Sequence, residues 1–205
     1  YVTTANFDEA GQQTDGITVG ASKNLKGHDT GSYTTDMEYE AEYGVLTSQV
    51  TDGLSISYQV DGTSYASGIY HTDATSIDGY GTVKQTVTVG TSGRDMLTTP
   101  VVLGTYVTTA NFDEAGQQTD GITIGASKNL KGHDTGSYTT DMLYDGEYGV
   151  LSSQVTDGLS ISYQVDGTSY ASGIYHTDAT SIDGYGTVRE TVTVGTSGRD
   201  MLTSP

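Results

Sequence analysis

Leu54-Ser-Ile-Ser-Tyr-Gln-Val60 alternates apolar and polar side chains, with Leu54, Ile56, Tyr58 and Val60 on one side and Ser55, Ser57 and Gln59 on the other. A period of two marks a half-buried β-strand, because successive side chains of an extended chain point to opposite faces. The period recurs in Gly81-Thr-Val-Lys-Gln-Thr-Val-Thr-Val89, where Val83, Val87 and Val89 share a side, and in Gly16-Ile-Thr-Val-Gly-Ala21, where Ile17, Val19 and Ala21 do. Thr, Val and Tyr dominate these stretches, and all three favour strands. Asp-Gly occurs at 15, 52, 61 and 78, the dipeptide that supplies the positive φ of tight turns. The strands expected are 1–7, 16–22, 32–39, 43–50, 54–60, 63–71 and 80–90. Seven strands in about 100 residues predict an all-β, immunoglobulin-like β-sandwich, without the Cys pair and Trp of antibody domains.

That unit occurs twice. Tyr1-Val-Thr-Thr-Ala-Asn-Phe7 returns as Tyr106-Val-Thr-Thr-Ala-Asn-Phe112, and residues 1–100 align with 106–205 without a gap. The copies differ at eight positions: Val19/Ile124, Glu38/Leu143, Glu40/Asp145, Ala41/Gly146, Thr47/Ser152, Lys84/Arg189, Gln85/Glu190 and Thr99/Ser204. A 105-residue repeat exceeds the 20–50 residues of a solenoid repeat and matches a domain. The organisation expected is therefore two tandem β-sandwich domains, 1–100 and 106–205, with 101–105 as linker, cut from a longer array.

Composition sharpens the problem the fold must solve. Among the 205 residues, 8 Lys and Arg face 26 Asp and Glu, a net charge of −18. Nucleic acid and anionic membrane surfaces are poor partners for such a chain, and no apolar run approaches a membrane span. There is no Cys, so neither disulfides nor thiolate sites exist. Leu, Ile, Val and Phe number 38; with 16 Tyr they make a thin core credible. Each copy carries 13 acids against 4 bases. The acids concentrate in expected turns, where oxygen donors on loops suit Ca²⁺. The candidate ligands are Asp8, Glu9, Asp15, Asp52, Asp61, Asp73 and Asp78, with Asp113, Glu114, Asp120, Asp157, Asp166, Asp178 and Asp183 in the second copy. Turn chemistry alone also favours Asp at these places, and no EF-hand loop is present. If the strands alternate end to end, Asp8, Glu9, Asp15 and Asp61 would face Asp134, Asp157, Asp178 and Asp183 across the apolar joint at 100–104, with a further cation between them.

An acidic, Cys-free, β-rich unit of about 105 residues, repeated almost verbatim and rich in Asp-Gly, resembles the extender repeats of giant bacterial surface adhesins of the RTX type. The resemblance lies in architecture and composition rather than in a diagnostic motif. It implies calcium-binding sandwiches that space a distal ligand-binding region from an outer membrane. On that reading the protein is extracellular, monomeric and not an enzyme, and its partners are neighbouring copies in the same chain, with no direct contact with the membrane.

Three other readings stay open on the residues. An enzyme could use His28-Asp29, or His71 with Asp73 and Ser76, although closeness in sequence is poor evidence of a triad. A carbohydrate- or surface-binding module could stack sugars on Tyr33, Tyr39, Tyr43, Tyr65, Tyr70 and Tyr80, positions that more often serve packing. A cross-linked sandwich of the Gram-positive surface type could join Thr3 or Thr4 to Gln85 near His71, but Glu190 replaces Gln85 in the second copy. An isopeptide version lacks its lysine there too, since Lys84 becomes Arg189, and Lys23 and Lys26 lie in a polar loop.

Overall fold

The computed structural model describes residues 1–202, which form twelve β-strands and, among the described residues, no helix. They fall into two compact units, Tyr1–Val102 with Glu114–Gly116, and Leu103–Asp113 with the described residues from Gln117 onward. In the first unit the strands are β1 (Val2–Phe7), β2 (Gln13–Lys23), β3 (Asp29–Tyr39), β4 (Leu46–Tyr58), β5 (Ser64–Ile77) and β6 (Val83–Arg94). The second unit holds β7 (Val101–Phe112) from Leu103 onward, β8 (Gln118–Lys128), β9 (Asp134–Tyr144), β10 (Leu151–Tyr163), β11 (Ser169–Ile182) and β12 (Val188–Ser197).

Within each unit every strand pairs antiparallel with its neighbours in sequence, giving a meander of one layer. This is all-β as expected, but the two packed sheets of an immunoglobulin-like sandwich are not formed within a unit. The reason is visible at Asp52-Gly53. Expected strands 43–50 and 54–60 are one strand, β4, because this Asp-Gly continues the extended chain instead of turning. Asp15-Gly16 likewise lies inside β2. The expected linker 101–105 is also strand, the first half of β7.

The chain reverses at a different signal. Gly11, Gly27, Gly44, Gly62 and Gly81 have positive φ and stand 16 to 19 residues apart, so each 105-residue unit is itself a run of hairpins. At the last of these, Asp78 N–H donates to Thr82 O at 2.9 Å and Gly81 N–H to Asp78 O at 3.0 Å. This pairing is that of a three-residue loop whose final residue adopts the left-handed conformation, which glycine enters without steric cost.

The two faces of the sheet differ. On one, Thr3, Thr18, Thr35, Thr51, Thr72 and Thr88 stand opposite one another on six successive strands. Their hydroxyls pair at 2.9 Å (Thr3 and Thr18), 2.8 Å (Thr35 and Thr51) and 2.7 Å (Thr72 and Thr88), contacts worth roughly 0.2–1 kcal/mol each across strands. The next rank alternates Gly20, Tyr33, Gly53, Tyr70 and Gly90. Tyr33 lies over Gly20 and Tyr70 over Gly53 so closely that a Cβ on either glycine would stand 2.2 Å from a ring carbon. Each ring thereby shields the backbone of the adjacent strand. Tyr138 on Gly125 and Tyr175 on Gly158 repeat the contact in the second unit.

The opposite face carries Ile17, Val19, Val50, Leu54, Ile69 and Val89. Ile17 and Val19 do share a side, as their spacing predicts, but with no second layer they remain 46% and 53% exposed. Val60, expected inside a strand, is fully exposed in the turn that closes at Gly62. Among the described residues only Met96, Ala110 and Ala171 are buried apolar side chains.

Replacing Gly53 and Gly158 together by Ala is expected to lower stability by roughly 1–3 kcal/mol, the cost of forcing atoms into a filled site. Urea unfolding followed by circular dichroism measures it; an unchanged midpoint would show that the tyrosine rings move aside freely.

Candidate functional site

Period two places His71 and Asp73 on the same face of β5, and the register of β4 with β5 sets Asp52 directly opposite His71. The imidazole Nδ1 lies 2.7 Å from Asp52 Oδ1 and Nε2 lies 3.3 Å from Asp73 Oδ1. The second unit repeats this with His176 between Asp157 at 2.7 Å and Asp178 at 3.2 Å. Both clusters sit on the aliphatic face. Each floors a shallow open concavity, about 560 Å³ in the first unit and about 580 Å³ in the second. Val19, Leu54, Ile69 and Val89 line the first; Ile124, Leu159, Ile174 and Val194 line the second.

Electrostatics follow from the geometry. The hydrogen bond with Asp52 is the largest influence on His71; desolvation opposes it, the Asp73 charge reinforces it, and the imidazole titrates above its ordinary value. His176 is raised in the same way, first by Asp157. Each site thus places an imidazole between two carboxylates, an arrangement that favours its protonated form.

The remaining candidate acids are dispersed. Asp8 and Asp113 accept from the N–H of Gln12 and Gln117, at 2.8 and 2.9 Å. Asp61 and Asp166 accept from the N–H of Thr63 and Thr168, both at 2.9 Å. Asp78 accepts from Tyr80 and Thr82 N–H, and Asp183 from Tyr185 and Thr187 N–H and from Arg189. These backbone donors hold Asp61, Asp78, Asp166 and Asp183 below the usual carboxylate range. Asp15 and Asp120 lie mid-strand and accept from Asn6 and Asn111, both at 2.6 Å. Glu9 and Glu114 stand exposed in the turns that follow Asp8 and Asp113. Asp157 and Asp178, expected at a domain end, are on strands beside His176. A calcium shell takes six to eight oxygens, whereas the closest gathering is two carboxylates with a histidine between them. Among the described residues no group of three or more histidines and acids is arranged to hold a metal ion.

The other candidate constellations separate as well. Both nitrogens of His71 face carboxylates, and Ser76 lies along β5 opposite Gln85. His28 stacks at a tilt on Tyr58, with ring centroids 5.4 Å apart. Thr3 and Thr4 are on β1 and Gln85 is on β6, with β2 to β5 between them, so the cross-link of neighbouring first and last strands is not formed. Of the six tyrosines, Tyr33 and Tyr70 cover glycines, while Tyr43 and Tyr80 are exposed and lie in turns. The His71-Thr72-Asp73 spacing was the sequence signal for the site; Asp52 becomes visible only with the register.

No protein-family model matches the chain, and no curated protein matches it.

Because His71 and His176 titrate higher in the folded chain than their ordinary 6.5, their contribution is complete below about pH 6.5 and is lost as pH rises through the folded-state value. The thermal midpoint is expected to fall across that window, and the His71→Gln, His176→Gln double variant to flatten the profile. A wild-type midpoint that rises with pH there would overturn the assignment.

Proposed function

We propose that the protein is a structural spacer, a tandem extender segment of a larger extracellular, cell-surface protein. The observation that supports it best is the strictly sequential strand pairing within each near-identical unit. Where contacts run only between neighbours in sequence, stability accumulates copy by copy and copy number sets length. The eight differences fit a role without a shared active site. Glu38/Leu143 exchanges a charge for an exposed aliphatic, and Val19/Ile124 adds a methylene at a position exposed in both units. The spacer role is kept from the adhesin-extender resemblance, and the immunoglobulin-like sandwich is not needed for it.

Small-angle scattering of chains with two, three and four copies is expected to give a maximum dimension that grows by the same increment per copy. A dimension that stays nearly constant would point to collapse and remove the spacer role.

Calcium is the part of the resemblance that the carboxylate placement supports least, since the turn acids are engaged by backbone N–H groups. Thermal unfolding is therefore expected to respond equally to millimolar calcium and magnesium, as a chain of charge −18 does to any divalent counter-ion. A calcium-specific rise of several degrees, reversed by EDTA, would restore bound calcium to the extender reading.

A further inference from the structure

The strand acids of each unit are distributed unevenly between its two faces. Apart from Arg94 at the end of β6, the face bearing the threonine rank carries no charged residue between the bulges of the six strands. Between the bulges, the aliphatic face of the first unit carries Asp15, Asp36, Glu38, Asp52 and Asp73, with His71 among them. These carboxylates are interleaved with side chains that a soluble sheet has reason to cover: Val19 and Val89 are each 53% exposed, Ile17 46% and Ile69 39%. The second unit repeats the pattern with Asp120, Asp141, Asp157 and Asp178 among Ile122, Ile124, Ile174 and Val194. Contiguous exposed aliphatics bordered by polar groups mark interaction surfaces.

We propose that this face of each unit is a docking surface for a cationic amphipathic helix of a partner protein. Leu54 on β4 stands directly opposite Ile69 on β5, Val89 on β6 stands opposite His71 and diagonal to Ile69, and the three offer an apolar seat within the concavity. Asp36, Asp52 and Asp73 stand beside that seat, where lysine or arginine flanking an apolar helical stripe would reach them. Long basic side chains suit this mixture, because their stems cover aliphatics while their heads meet carboxylates. Charge also argues against a second copy as occupant. Two such faces brought together would oppose five carboxylates with five, and like charges across an interface disfavour it. The proposal goes beyond the spacer role and does not rest on it.

The test is isothermal titration of the full chain with a synthetic amphipathic helix of leucine and lysine, at about 0.15 M salt, where exposed charges are screened beyond about 8 Å. Two equivalent sites per chain are expected, one for each unit. The Ile69→Thr, Ile174→Thr variant should bind about tenfold more weakly while keeping its circular dichroism and thermal midpoint near those of the parent. Asp36→Asn with Asp141→Asn should also weaken binding, and Glu9→Gln with Glu114→Gln, which lie in turns away from the face, should leave it unchanged. Equal binding of a serine-lysine helix of the same charge would reduce the interaction to bulk electrostatics and overturn the proposal. So would unchanged affinity in a folded Ile69→Thr, Ile174→Thr chain. Sedimentation showing that the chain dimerises alone, and that these substitutions abolish the dimer, would give the face to a second copy instead.

Discussion

A sheet one layer thick has water on both sides, and its ladder of backbone hydrogen bonds needs cover that a two-layer fold obtains from the opposite sheet. Here the cover on one face comes from tyrosine rings laid across glycines of the adjacent strand. Tyr33 on Gly20 and Tyr70 on Gly53 exclude water from the backbone at the one position in each pair where no side chain would otherwise lie. The threonine rank beside them joins the strands a second time through paired hydroxyls. Both devices require exact register, because a slip of one residue would carry tyrosines and threonines to the other face. The register in turn is fixed by the hairpin loops, whose glycines recur at 16 to 19 residues.

The acids belong to two populations that the same architecture separates. Those at the hairpins, such as Asp61 and Asp78, satisfy backbone N–H groups and are structural in the narrow sense of closing turns. Those on strands between the bulges fall on the aliphatic face. Asp52 and Asp73 flank the imidazole of His71, while Asp36 is exposed and stands opposite Ile17 and Val50. On a face that is both apolar and acidic, the aliphatics give a reason to be covered, and the charge disfavours covering it with itself.

Part of this is legible from the residues. The period of two gives strands, and Ile17 and Val19 share a face as their spacing requires. What misled was Asp-Gly. Sequence alone makes this dipeptide a turn wherever it stands, yet at Asp15-Gly16 and Asp52-Gly53 the glycine serves close approach of a neighbouring side chain, and the chain runs straight on. Reading a turn at 52 splits β4 in two, and the extra strand is what suggested a two-layer sandwich. Only a partner across the sheet, Tyr70 in this case, distinguishes the two uses of glycine, and that partner is known only once the register is. The same holds for the site: His71 and Asp73 are two residues apart, but Asp52 is brought to them by pairing.

Sequential pairing also bears on how two nearly identical copies fold without exchanging strands. Every strand in the first unit has an equivalent 105 residues away that offers the same register, the same threonines and the same glycines. Identical partners cannot be told apart by contact energy, so selection rests on chain entropy. Closing a loop of 105 residues rather than one of about 17 costs on the order of 1.6 kcal/mol more, from the logarithmic growth of closure entropy with length. A bias of that size favours the local hairpin by more than tenfold at each pairing. Because every correct pairing here is local, the bias acts in the same direction at each strand. A Greek-key sandwich, with pairings distant in sequence, would have forgone part of that protection, and near-verbatim repetition is correspondingly safer in a meander.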